Sequence, residues 1–393
     1  MRKTLLAAAS ILALSATAQA EVKMGVILGF TGPIESLTPD MAAGAEIAMK
    51  EASDSGKFLD GETVTAVRAD STCIDAAAAS AAAERLITSD GVVSLMGPDC
   101  SGVTTAVANN VAIPNGVLLI SPSATSPALS TIDDNGLFFR TAPSDARQGE
   151  VLADVAMEQG IKSIAITYTN NDYGKGLSDA FKAAFEAIGG EVTISAPHED
   201  GKGDYSADVG ALASAGGDAL AVLGYVDQGG RGIMQAAIDT GAFDTFALGD
   251  GMIGDSLLDL PGLDAAKVFG TAAGSESDAA GKYAEMAAAA GVTGSGPYQG
   301  ESYDAAALMI LAIQKAGSAD RGALAGNIMD IANAPGEQIG PGELGKALEL
   351  VAAGTDIDYQ GATGVEFTDV GEALGSYKEL AIEDGAWKTV AVR

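Results

Sequence analysis

Residues 92–127 run VVSLMGPDCSGVTTAVANNVAIPNGVLLISPSATSP, and they contain one complete strand–helix–strand unit. The apolar run 92–96 stops at Gly97-Pro98-Asp99-Cys100-Ser101-Gly102. Residues 103–111 keep helical spacing. A second apolar run, 117–121, stops at Pro122-Ser123-Ala124-Thr125-Ser126-Pro127. Short apolar runs bounded by Gly and Pro, with a helical stretch between them, predict a right-handed βαβ crossover and a parallel sheet.

The same alternation extends in both directions. Residues 22–30 and 63–69 read as strands and 76–88 as a helix. Thr38-Pro39-Asp40 opens another helix, with Thr38 as N-cap and Pro39 at the first helical position. The pattern pauses near 138–143 and restarts. Strands are then predicted at 163–168, 191–195, 219–224 and 246–249, and helices at 149–159, 174–187, 206–215 and 232–240. Two long helices follow, 277–290 and 303–316, and then a two-stranded ending over 378–392 that turns at Asp384-Gly385. The expected class is α/β, with two doubly wound, Rossmann-like parallel-sheet lobes.

Composition narrows the function. The chain has 393 residues, 47% hydrophobic and 19% charged, which suits two globular lobes rather than a disordered chain. Its formal charge of −31 would repel nucleic acid and anionic lipid. One His and two Cys leave little for a zinc site, an iron–sulfur cluster or a His-based triad, so neither metal nor cofactor is expected.

Residues 1–20, MRKTLLAAASILALSATAQA, have the form of a signal peptide. Arg2 and Lys3 are basic, the apolar stretch is too short to span a bilayer, and Ala18-Gln19-Ala20 is a small-residue cleavage site. Cleavage is expected after Ala20, with export to a periplasm and no membrane insertion of the mature chain. In an oxidising compartment the one cysteine pair, Cys73 and Cys100, defaults to a disulfide; the alternative is a reactive thiol.

In open parallel sheets, ligands bind beyond the C-terminal strand ends. In the first half those loops hold Ser101 and then Ser123, Ala124 and Thr125, beside helix starts whose N–H groups suit a carboxylate. Singly, Ser101, Thr125 and Ser126 read as helix caps. In the second half the loops hold Tyr173, Tyr225 and Asp250. A carboxylate at 250, between glycines at a strand end, would sit in the cleft and take a ligand ammonium; the alternative is a solvated turn. Together these loops describe a site for a zwitterion, with the two tyrosines as walls.

Other motifs carry less. Gly249-Asp250-Gly251-Met252-Ile253-Gly254 matches GxGxxG, but not in a first βα turn, and its acid would repel a pyrophosphate. There is no P-loop and no GxSxG elbow. His198, in Pro197-His198-Glu199-Asp200, reads as solvated, and Trp387 as packing.

The signal peptide, VKMGVILGFTGP (22–33) with GAEIA (44–48), the cysteine pair, LISPSATSP (119–127), NDYGKG (171–176) and Tyr303-Asp304-Ala305 recur in an order that resembles the periplasmic leucine/isoleucine/valine-binding proteins of ABC transporters. The resemblance covers the mature chain. It implies the type I periplasmic-binding fold, with lobes joined by a three-segment hinge near residues 142, 274 and 376. The expected division is 21–142 plus 275–375 for lobe I, and 143–274 plus 376–393 for lobe II. It implies that Ser101, Ser123, Ala124 and Thr125 hold the α-carboxylate and α-ammonium of an amino acid, that Asp250 and Tyr225 complete the ammonium site, and that Tyr173 lines the cleft. It also implies a Cys73–Cys100 disulfide. The chain departs from the family where Asp250 stands for Glu and Leu37 for an aromatic side-chain wall.

The expected function is therefore that of a monomeric, non-enzymatic component of an ABC importer. It would capture a branched-chain or other hydrophobic amino acid and dock on an inner-membrane permease. Two other readings use the same cleft: an amide, urea or aromatic-acid ligand, or an exported carboxylate-dependent hydrolase.

Overall fold

The computed structural model describes residues 21–393; the predicted signal peptide lies outside the described residues. The first sheet is parallel throughout, with order β2-β1-β3-β4-β5. Its strands are β1 (Glu21–Leu28), β2 (Thr63–Asp70), β3 (Ser94–Met96), β4 (Leu118–Ser121) and β5 (Phe138–Arg140). The next five strands are β6 (Ser163–Thr169), β7 (Glu191–His198), β8 (Ala219–Leu223), β9 (Thr245–Leu248) and β10 (Lys267–Ala273). A short parallel pair, β11 (Glu337–Ile339) and β12 (Ile357–Tyr359), stands apart. The chain ends with β13 (Tyr377–Glu383) and β14 (Ala386–Val392).

The second sheet has order β14-β13-β10-β9-β8-β6-β7. Taken from β7 to β10, it repeats the strand order of the first sheet. β13 and β14 run antiparallel, so the predicted C-terminal pair is an extension of this sheet through β10. Strands β3, β4 and β8 are buried along their whole length, as expected for a parallel sheet covered on both faces.

Two strands of the main sheets escaped the sequence pattern, as did the separate pair β11 and β12. β5 has only three residues, placed where the alternation pauses. β10, KVFGTAA, is buried over six of seven positions, but Gly270, Ala272 and Ala273 carry little strand propensity. The helix predicted to start on a Thr38 cap is Thr38–Ser55, with Leu37 at the cap position. The Thr38 hydroxyl instead donates to the Gly29 carbonyl at 3.1 Å, tying the loop after β1 to the helix.

The helix Gln299–Ala316 is buried on nearly every side, as its apolar sequence requires. It packs on the helix Thr38–Ser55 so closely that a Cβ on Gly44 would lie 2.4 Å from the Gln299 carbonyl oxygen. Arg140, at the end of β5, is also buried. It donates to the carbonyls of Ala124 (3.0 Å) and Ser126 (2.9 Å), to Ser130 Oγ and to Glu372.

The chain crosses between the sheets three times: after β5, after β10 and before β13. The last two crossings are bonded side by side. The Gly274 N–H donates to the Ser376 carbonyl, and Ser376 Oγ donates to the Gly274 carbonyl, both at 3.0 Å. Tyr377 ties them to the first crossing by donating to the Ser144 carbonyl at 3.0 Å.

His198 is not solvated. It is buried at the end of β7, with Nδ1 2.8 Å from Thr167 Oγ1, and burial lowers its pKa to about 4. Sequence reading placed it in a loop because Pro197 hid the last residues of the strand. Trp387 packs against the core as expected, and its indole N–H donates to the Gly254 carbonyl at 3.1 Å.

Candidate functional site

Each five-strand array changes direction at its second strand. The switch falls between β1 and β3 in the first sheet and between β6 and β8 in the second. Loops diverge at such points and leave a crevice at the C-terminal strand ends. Here the two crevices face each other and share one cavity of about 30 Å³.

The first lobe, built on the five-stranded sheet, contributes Ile34, Leu37 and Met41 from the loop and helix after β1. It also contributes Ser101 from the loop after β3 and Ser123 from the loop after β4. The second lobe contributes Tyr173 after β6, Tyr225 after β8 and Asp250 after β9. Six of the predicted residues therefore share one cavity: Leu37, Ser101, Ser123, Tyr173, Tyr225 and Asp250. Ala124 and Thr125 are buried but do not line it.

The GDG sequence at the end of β9 has a steric cause. Asp250 opens a single 3₁₀ turn, Asp250–Met252. A Cβ on Gly249 or Gly251 would come to 3.0 Å from the Tyr173 hydroxyl. With both glycines in place, that hydroxyl accepts from the Gly251 N–H at 3.0 Å and donates to Asp250 Oδ1 at 2.8 Å. Tyr298 donates to Asp250 Oδ2 at 2.7 Å. The glycines thus serve the packing of a tyrosine, not a pyrophosphate.

Tyr173 lies in the first turn of the helix Asp172–Ala187, whose N-cap Asn171 accepts from the Gly174 N–H at 3.0 Å. The other end of the same side chain donates to the Tyr225 hydroxyl at 3.2 Å. The two tyrosine rings stack, with centroids 5.2 Å apart and planes 18° from parallel. One asparagine therefore fixes both walls.

On the opposite face, Ser101 is the first residue of its helix and does not cap it. Its Oγ accepts from the Ser126 N–H at 3.1 Å and stitches the loop after β3 to the loop after β4. Ser126 caps the short helix Pro127–Thr131, as predicted. Ser123 Oγ donates to the Asp99 carbonyl at 3.1 Å. Asp99 itself accepts from the Gly29 N–H (2.7 Å) and Ser71 Oγ (3.1 Å), which braces the base of the cavity. The disulfide Cys73–Cys100 joins the loop after β2 to this same loop. Closing that loop of 27 positions contributes about 3.5 kcal/mol on the chain-entropy account.

Asp145, missed in the sequence, stands behind the cavity as the first residue of the helix Asp145–Glu158. It is fully buried, and neither of its carboxylate oxygens meets a hydrogen-bond partner among the described residues. The Thr125 hydroxyl and Gln148 Oε1 are also buried without one. Burial and the nearby Asp250 charge push the Asp145 carboxyl well above the ordinary range. Burial raises Asp250 as well, while the hydroxyls of Tyr298 and Tyr173 pull it back. Burial and these acids hold the Tyr173 and Tyr298 hydroxyls well above their usual pKa, so both remain donors. Among the described residues no Lys or Arg lines the cavity.

Tyr298 was also missed. It precedes the helix Gln299–Ala316, where Gly296-Pro297 reads as a plain turn. Asp145 follows Ser144 and looks like an ordinary first-turn acid. An aromatic held between Pro and a buried helix was the one available signal for Tyr298.

Two doubly wound lobes, three crossings and a cavity between matched switch points define the type I periplasmic-binding fold. Residues 21–356 match the periplasmic binding protein family, and the chain belongs to it. It is similar to a Leu/Ile/Val-binding protein of Rhizobium johnstonii, with 32% identity over 79% of this chain and 83% of that one. It also resembles the structure of a leucine-binding protein from Thermotoga maritima, with a TM-score of 0.78 and 25% identity over 94% and 98% of the two chains. A solute-binding protein of an ABC transporter from R. palustris, in complex with 4-hydroxybenzoate, shares the fold at a TM-score of 0.75 and 19% identity, covering 95% and 97%. In the described residues no helix is long and apolar enough to cross a membrane.

Proposed function

We propose that this protein is the periplasmic solute-binding component of an ABC importer. It captures an amino acid with an apolar side chain between its lobes and delivers it, unreacted and as a monomer, to an inner-membrane permease. The observation that carries this reading is the pair of buried carboxylates, Asp250 and Asp145, beside a cavity that no Lys or Arg lines. Buried acids without a cation are costly, and a ligand ammonium would offset that cost. The Arg140 guanidinium bonds Glu372, Ser130 and two carbonyls and neither acid; its charge offsets only part of the burial cost at Asp145.

The rest of the ligand follows from the walls. Ser101 and Ser123, beside the helix start at Ser101, suit the α-carboxylate, with Ala124 and Thr125 supporting from behind. Ile34, Leu37 and Met41 suit a branched or linear aliphatic side chain, and the Tyr173–Tyr225 stack encloses it. A benzoate-type anion would bring a further carboxylate to these acids and no cation, so the aromatic-acid reading of this cavity is disfavoured. Neutral amides and ureas would leave Asp250 uncompensated. The Leu/Ile/Val-binding relative supports the same ligand class.

The same reading includes a signal peptide at 1–20 cleaved after Ala20. It also includes lobes at 21–142 plus 275–375 and 143–274 plus 376–393. N-terminal sequencing of exported protein tests the first, and limited proteolysis tests the second.

The deciding experiment is mass spectrometry of the ligand released from purified protein, followed by a thermal-shift screen of the twenty common L-amino acids. Stabilisation by one or more aliphatic amino acids is expected. A protein that releases an aromatic acid, and that no amino acid stabilises, would sink the reading.

A further inference from the structure

We propose that Tyr298 is the closing latch of the cleft: a positioning residue of the first lobe that engages Asp250 of the second. The proposal deepens the reading of Asp250 as the ammonium-binding acid and rests on it. Among the described residues four contacts cross the cleft from hydroxyls or amides of one lobe to aspartates of the other, beside a backbone bond from the Asp227 N–H to the Pro33 carbonyl at 3.0 Å and a Ser36–Ser256 hydroxyl contact at 3.3 Å. The Ser36 N–H meets Asp227 at 2.8 Å, Thr105 Oγ1 meets Asp172 at 3.3 Å, and Ser295 meets Asp255 through both N–H and Oγ. These three are exposed, so water replaces them readily when the lobes part. The fourth, from Tyr298 to Asp250 at 2.7 Å, is buried. A hydrogen bond to an ionised acceptor in a dry site is the strongest of the set.

Tyr298 is held firmly on its own lobe. Its carbonyl accepts from both the N–H (3.0 Å) and the Oγ (2.7 Å) of Ser302, one turn into the buried helix. The loop before it is pinned by Asp40, which accepts from the Gly294 N–H at 3.0 Å, and by Gln299, which donates to the Gly294 carbonyl at 2.9 Å. Its backbone is left-handed, with φ of 69°, although it is not glycine. Such a conformation persists only where surroundings impose it, and it concentrates at working sites. Because Tyr173 takes the other oxygen of Asp250 from within the second lobe, the acid is fully dressed only when the lobes meet. An ammonium that keeps Asp250 ionised strengthens it as the acceptor for Tyr298, so capture and closure reinforce each other. The bond must break before the ligand leaves, which puts its effect in the dissociation rate.

The test compares the mature wild-type chain with Tyr298→Phe, which keeps the ring and removes the donor. Rapid filtration with labelled L-leucine gives the rates, small-angle X-ray scattering of the ligand-free chain gives the mean lobe separation, and circular dichroism checks folding. Dissociation faster by about tenfold, with association changed less than about twofold and a larger radius of gyration, is expected. Wild-type dissociation and radius in the folded variant would overturn the latch. If wild type binds no L-leucine and no amino acid in the screen, the ammonium reading fails instead. The scattering comparison then judges the latch alone: equal radii reject it and a larger radius supports it.

Discussion

Two buried aspartates in this molecule look alike in sequence and differ in what surrounds them. Asp304, inside the first lobe, accepts from the Tyr359 hydroxyl (2.9 Å), the N–H groups of Ala362 (2.7 Å) and Thr363 (2.9 Å), and the Thr363 hydroxyl (2.7 Å). Asp145, behind the cleft, has no hydrogen-bond partner among the described residues. Between them stands Asp250, which accepts from the Tyr173 and Tyr298 hydroxyls. Burial by itself therefore does not mark a ligand site. Asp304, which builds architecture, is saturated by its own chain, and Asp145, behind the cleft, is left short of donors. The first kind contributes stability, and the second stores a deficit for a ligand to fill.

The largest effect should come from breaking the saturated side. Asp304→Ala strands four donors and should lower the unfolding free energy by about 3–5 kcal/mol in chemical denaturation. Next, Cys73→Ser with Cys100→Ser should cost about 3.5 kcal/mol in the same assay, and thiol titration of native wild type should find no reactive thiol. Asp250→Ala sharpens the contrast. It should weaken calorimetric affinity for the captured amino acid by about 2–4 kcal/mol, yet leave the ligand-free thermal midpoint unchanged or higher. Unchanged affinity would reject the ammonium role.

A further effect is in pH. Burial pushes Glu301 up to about 8 and Asp304 up to about 6, whereas both carboxyls titrate near 4 in the unfolded chain. The folded state therefore holds protons that the unfolded state releases. Their contribution is complete below the unfolded values and is lost as pH rises toward 8. Ligand-free stability should fall over that window, and Glu301→Gln should flatten the fall. A profile that rises from pH 5 to 8 would contradict the assignment.

Much of this was legible in the chain. The βαβ rhythm gave most strands of both sheets, because those strands are short apolar runs closed by turn residues. Asp250 stood out because glycines flank it at a strand end. What stayed hidden depends on distant contacts. Strand β10 is paired mainly from outside its own neighbourhood, by β9 and β13. His198 looks polar until Thr167 accounts for its ring nitrogen. Asp145 and Tyr298 read as a helix-start acid and a turn aromatic. Only the approach of the second lobe gives Tyr298 its partner, and only the packing around Asp145 leaves that acid unmatched.

Trp387 gives the molecule a gauge of its own. It is the single tryptophan of the chain, and its indole is bonded to the Gly254 carbonyl. Gly254 in turn lies so close to Leu37 of the facing lobe that a Cβ there would come within 2.9 Å of its Cδ2. Parting of the two halves must loosen that junction, so the native emission of one chromophore can time the bite of the jaws without any attached dye.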